Sequence, residues 1–77
     1  MQTKKILITG SSSGIGLAIA KELKNRGNLV IINGRNKKKL TEVKKKEKFF
    51  DFVCGDTSHP KTAKRVVHHT LKKIKKL

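Results

Sequence analysis

Apolar positions along this chain follow two rhythms that alternate. Lys5 to Thr9 holds the unbroken run Ile6, Leu7, Ile8, halted by Gly10, which marks a strand buried on both faces. Gly14 to Arg26 changes to helical spacing, with Ile15, Ala18, Ile19 and Leu23, and Gly27 stands where a helix closes. Leu29 to Ile32 is a second β-branched run. Asn36 can cap a lysine-rich helix reaching to about Lys46, whose apolar stripe is only Leu40 and Val43. Phe49 to Cys54 reads as a third strand. A loop from Gly55 to His59 leads to Pro60, in the first turn of a helix running almost to Leu77. The order β-α-β-α-β-α implies parallel strands joined by right-handed crossovers, in an α/β layer fold. No solenoid-type repeat, linker or second domain is visible.

Between the first strand and first helix stands T-G-S-S-S-G-I-G, Thr9 to Gly16. A turn alone needs one glycine. Here the unpaired amides and positive end of a helix face outward, ready for an anion. Gly10 lets the chain leave the strand sharply, Gly14 has no side chain to hold a phosphate off the backbone, and Gly16 lets the helix lie close to the sheet. Ser11, Ser12 and Ser13 offer hydroxyl donors; one serine could serve as a cap, but a cap does not need three. The stretch predicts a phosphate resting against bare backbone. It is not a Walker A loop, because no lysine follows the second glycine, and it does not fit G-x-G-x-x-G literally.

Composition narrows the class. The 77 residues carry a formal net charge of +15 and only three aromatic residues, all phenylalanine. A chain this short buries only about 60 % of its unfolded surface, and self-repulsion works against the compact state, so stability is expected to be marginal. The charge is uneven: five basic and one acidic residue up to Gly34, fifteen and four beyond it. That excess favours polyanions, whether nucleic acid, acidic membrane or a phosphorylated ligand. A lone cysteine, Cys54, cannot form an internal disulfide, which fits a reducing compartment and a cytoplasmic protein. The first apolar run is too short for a signal-peptide core or a membrane span.

T-G-S-S-S-G-I-G, followed by L-A-I-A-K-E-L and by N-G-R-N after the second strand, resembles the short-chain dehydrogenase/reductase family over essentially the whole chain. The resemblance implies a partial Rossmann-like, doubly wound fold with a three-stranded parallel sheet ordered 3-2-1. Residues 1–77 would then be the N-terminal half of an NAD(P)-binding domain. It places Gly10, Ser12, Ser13, Gly14, Ile15 and Gly16 around the pyrophosphate and adjoining ribose of a dinucleotide. Arg35, just beyond the second strand, matches the position where an acidic residue selects NAD and an arginine accommodates the 2′-phosphate of NADP, so NADP is expected over NAD. Arg35 also reads as one more solvated charge beside Lys37, Lys38 and Lys39. Asp56, with Thr57 beside it, resembles the family aspartate that meets the adenine amino group; it reads equally as a turn residue or helix cap.

The family's reaction uses a tyrosine with a lysine four residues later, and this sequence has no tyrosine. The expectation is therefore a cofactor-binding segment that is inactive alone, ending where a fourth strand would begin. In the 3-2-1-4-5-6 order the fourth strand lies beside the first, so the first strand becomes an edge open to self-association. The alternative is a small basic module binding nucleic acid or an acidic partner, but no aromatic stacking motif accompanies the charge. Non-specific polyanion binding follows from charge in either case.

Three further features have plain readings. The last helix puts Ala63, Val66, Val67, Leu71 and Ile74 on one face, which alone resembles a membrane-surface helix but here supplies a cover for the sheet. His68 and His69 are adjacent on a helix and, with Cys54 and His59, match no metal spacing. Cys54 reads as a buried strand residue rather than a nucleophile.

Overall fold

A computed structural model describes the backbone of residues 4–75 and the side chains of residues 4–73. Six elements follow in the expected order: β1 (Lys5–Ile8), α1 (Gly14–Asn25), β2 (Leu29–Gly34), α2 (Lys37–Glu47), β3 (Asp51–Cys54) and α3 (Pro60–Lys75). The sheet order is β1-β2-β3, with both pairs parallel. Lys5 sits opposite Leu29 and Ile8 opposite Ile32, while Ile31 sits opposite Asp51 and Gly34 opposite Cys54. β2 extends two residues past the apolar run, because Asn33 and Gly34 remain in the ladder with β3.

The strand period of two explains the layering. Val30 and Ile32 point to one face of β2, into a core with Ala20 of α1, Leu40 of α2 and Phe49. Ile31 points to the other, against Val53 and Val66 of α3. Val30, Ile31 and Ile32 are all fully buried, and each such side chain stabilises the fold by about 1.5–3 kcal/mol.

Helix ends follow local chemistry. Gly27, at φ +92°, donates to the Lys24 carbonyl while Asn28 donates to that of Leu23, the paired bonds of a Schellman closure for α1. The Asn36 side chain caps α2 by accepting from the Lys39 amide at 3.1 Å. α2 ends on Lys48 at φ 57°, a left-handed position held without glycine.

Two expected stripes are turned from their predicted faces. On α1 the sheet-facing residues are Ala20, Leu17 and Leu23, whereas Ile15 is 82 % and Ile19 48 % exposed. On α3 the buried positions are Val66 and Thr70, leaving Val67 and Leu71 half-exposed. Thr70 hides its hydroxyl in a 2.7 Å bond to the Val66 carbonyl one turn back. The apolar residues left over on both helices, Ile15, Ile19, Val67 and Leu71, face outward. Ile74, the last member of the expected α3 stripe, lies outside the described side chains.

Candidate functional site

The C-terminal ends of the three strands open into one polar cleft of about 210 Å3, lined by Gly10, Ser12, Ser13, Asn33, Gly34, Arg35, Gly55, Asp56 and Thr57. Two larger hollows, about 450 Å3 beside Ile15, Ala18 and Ile19 and about 420 Å3 beside Ala63, Val67 and Leu71, are mostly apolar faces of single helices, edged by Glu22 and Arg26 in the first and by Lys64 and His68 in the second. The cleft at the strand ends is where open α/β sheets bind ligands.

Gly10 and Gly14 take φ +59° and +60°, and a side-chain carbon at either would meet nothing within 4 Å. Their bareness serves the left-handed turn and leaves open space above it. Gly16 differs: a methyl there would overlap the Gly10 carbonyl oxygen, so this glycine lets α1 press against the loop. Ser13 is the N-cap of α1 with extended backbone, yet its side chain makes no capping bond. The first bond into the helix is Leu17 N–H to the Ser13 carbonyl, so the amides of Gly14, Ile15 and Gly16 precede the helical ladder.

The serines divide by role. Ser11 is fully buried, donating its hydroxyl to the Ile8 carbonyl at 2.6 Å and accepting from the Asn33 amide at 2.9 Å. Its hydroxyl is spent inside the fold and is not a donor to a ligand, a correction to the expectation for three free serines. Ser12 and Ser13 line the cleft. Ser12 lies over the end of β2, where a side chain on Gly34 would come 2.7 Å from its hydroxyl. Ile15 lies outside the cleft wall, its side chain in the hollow of α1.

Arg35 and Asp56 come to the same cleft from the ends of β2 and β3. Asp56 Oδ1 accepts from the Ser58 hydroxyl at 2.7 Å and the Ser58 amide at 3.0 Å, forming the turn that precedes α3. Those two bonds, the hydroxyl foremost, hold its carboxyl below the usual carboxylate range, with His59 and Arg35 adding favourable charge. The turn reading of Asp56 therefore holds, and the residue still faces the cleft. Cys54 is half-buried, its thiol 3.4 Å from the Arg35 carbonyl.

Sequence reasoning missed Asn33, Gly34 and Gly55. Asn33 is 1 % exposed and bonds to backbone from both neighbouring strand ends. Its signals were a polar residue closing an otherwise apolar strand and its place at the head of N-G-R-N, neither of which was read as a site. Among the described residues no helix is long and apolar enough to cross a membrane, and no three His, Cys, Asp or Glu gather as a metal set.

A parallel sheet covered on both faces, with a glycine-rich turn entering a helix at its C-terminal edge, defines a Rossmann-like α/β architecture. The model of the short chain dehydrogenase family matches residues 4–77, and the chain belongs to that family. It is 34% identical over 79 residues to an uncharacterized oxidoreductase of Staphylococcus saprophyticus, covering 96% of this chain and 34% of that one. The crystal structure of L-sorbose reductase from Gluconobacter frateurii, complexed with NADPH and L-sorbose, is 34% identical with a TM-score of 0.77, over 90% of this chain and 28% of that one. A short-chain dehydrogenase from Streptomyces avermitilis reaches a TM-score of 0.81 at 26% identity, over 95% of this chain and 27% of that one. The chain thus spans about a third or less of the length of these relatives.

Proposed function

We propose that this chain binds NADP(H) and is the N-terminal cofactor-binding part of a short-chain oxidoreductase working in the cytoplasm. One observation carries the reading: Arg35 lines the same cleft as Gly10, Ser12 and Ser13 on one side and Asp56 and Thr57 on the other. A guanidinium at the end of β2 suits the 2′-phosphate of NADP, which an acidic residue there would repel. The pyrophosphate would rest on the amides of Gly14, Ile15 and Gly16, and the adenine would lie towards Asp56 and Thr57. The likeness to an NADPH-bound reductase supports the choice of coenzyme.

The cleft is smaller than the roughly 300–1,000 Å3 of complete small-molecule sites. As it stands it seats the adenosine phosphate half of the coenzyme, and the nicotinamide half needs walls from outside these residues. With no tyrosine among the 77 residues, the chain by itself has no Tyr-x-x-x-Lys pair to move a proton. Its own task is binding.

Titration of NADPH and NADH into wild type and Arg35→Asp tests this. NADPH should bind more tightly, and the variant should lose about 10–100-fold of NADPH affinity, the loss of a charge-assisted contact. Equal binding of both coenzymes, or of neither, overturns the proposal. Tight duplex DNA binding that survives Gly14→Val would point instead to a basic nucleic-acid module.

A further inference from the structure

The Asn33 side chain hydrogen-bonds the backbone of both loops bordering the cleft. Its Oδ1 accepts from the Gly10 amide at 3.2 Å. Its Nδ2 donates to the Val53 carbonyl at 2.9 Å and to the Gly55 carbonyl at 3.1 Å. The orientation of the amide is fixed by chemistry, because swapping its ends would set an NH2 against an N–H and an oxygen against two carbonyls. Its main chain joins the same arrangement: the Asn33 carbonyl accepts from the Ser11 amide at 2.7 Å, and its amide donates to the Ser11 hydroxyl.

We propose that Asn33 is a positioning residue for the coenzyme, tying the phosphate loop at Gly10 to the Gly55–Thr57 loop so that both halves of the cleft keep one spacing. The proposal rests on the reading of the cleft as a dinucleotide site. The pattern of partners distinguishes it from a merely satisfied core asparagine. Thr70, also buried and polar, spends its hydroxyl within its own helix. Asn33 instead reaches 23 residues back and 20 and 22 residues forward, and its partners are backbone groups at or beside the cleft wall. Asn33 lines the cleft itself. Three bonds from one buried amide fix the loops before ligand arrives, which lowers the ordering cost of binding. An asparagine does this where serine or threonine cannot, since only the amide combines one acceptor with two donors on a planar group.

The first measurement needs neither ligand nor variant. In wild type, amide hydrogen exchange at Gly10 should be at least about tenfold slower than at Gly14 and Ile15, whose amides precede the helical ladder; equal rates overturn the tether. Asn33→Asp keeps the acceptor for Gly10 and loses both donors, and Asn33→Ala loses all three bonds. With the folded fraction fixed from unfolding curves, NADPH affinity of the folded variants should fall about tenfold. Affinity within about twofold of wild type, with only the melting temperature lowered, would make Asn33 a structural residue and overturn the proposal. If Asn33→Ala does not fold, Asn33→Asp and the wild-type exchange rates decide. Failure of wild type to bind NADPH at all would sink the reading of the cleft, while Gly10 exchange still judges the tether.

Discussion

Gly16→Ala is expected to destabilise the protein although it replaces glycine by the best helix former. The added methyl would overlap the Gly10 carbonyl oxygen and lie 3.0 Å from its carbon and 3.1 Å from the Ser11 Cα. All of these are backbone atoms, so no rotamer change makes room. Returning them to ordinary contact requires α1 to retreat by on the order of 1 Å. Overpacking of this kind costs about 1–3 kcal/mol, against a gain of at most about 1 kcal/mol from helix propensity. An overlap this deep with backbone sits at the upper end of that range, so the net expectation is a loss of about 2 kcal/mol. In a chain of this size each kcal/mol lowers the melting temperature by about 4–8 °C. Urea unfolding followed by far-UV circular dichroism would measure it, with an unchanged slope showing that only stability has moved. A Gly16→Ala protein as stable as wild type, or more so, would refute the close approach of α1 to the Gly10 turn.

Three more expectations follow from the described contacts. Lys48→Gly should raise stability by about 1 kcal/mol, since φ 57° strains a residue with a Cβ; a lower urea midpoint would contradict this. Ser11→Ala removes the partner of the Ile8 carbonyl and the Asn33 amide, and should cost about 1–3 kcal/mol in urea titration. At Asp51, burial pushes the carboxyl up, but the Lys73 hydrogen bond at 2.9 Å, the Phe52 amide and the charges of Lys73 and Lys44 outweigh it, leaving the carboxyl below its usual range. The native state therefore holds fewer protons, so this stability is present above the unfolded value and is lost as pH falls below about 4. Asp51→Asn should flatten that acid limb of the stability profile, and an unaltered limb would exclude the ion pair as its source.

The fold was legible because each signal was local. Short apolar runs, Gly27 after a periodic stretch, Asn36 before a lysine-rich helix and Pro60 in a first turn each set one element, and the alternation of types set the parallel sheet. The rotation of the helices was not legible. Ile15, Ala18 and Ile19 are at helical spacing, but so are Leu17 and Ala20, and composition gives no reason to prefer either stripe. The choice depends on how closely α1 approaches the Gly10 turn. Of the candidate site, the glycine turn was legible because a left-handed backbone dictates the residue, as at Gly10 and Gly14, and Arg35 was expected at the end of β2, where it borders the cleft. Ser11 and Asn33 escaped because their roles are long-range bonds across strand ends, which leave no periodic trace.

β2 supplies both interiors of this small molecule, giving Val30 and Ile32 to one and Ile31 to the other. Removal of β2 would therefore empty both interiors at once, so its amides are expected to exchange only on global unfolding, while either helical layer can still loosen locally.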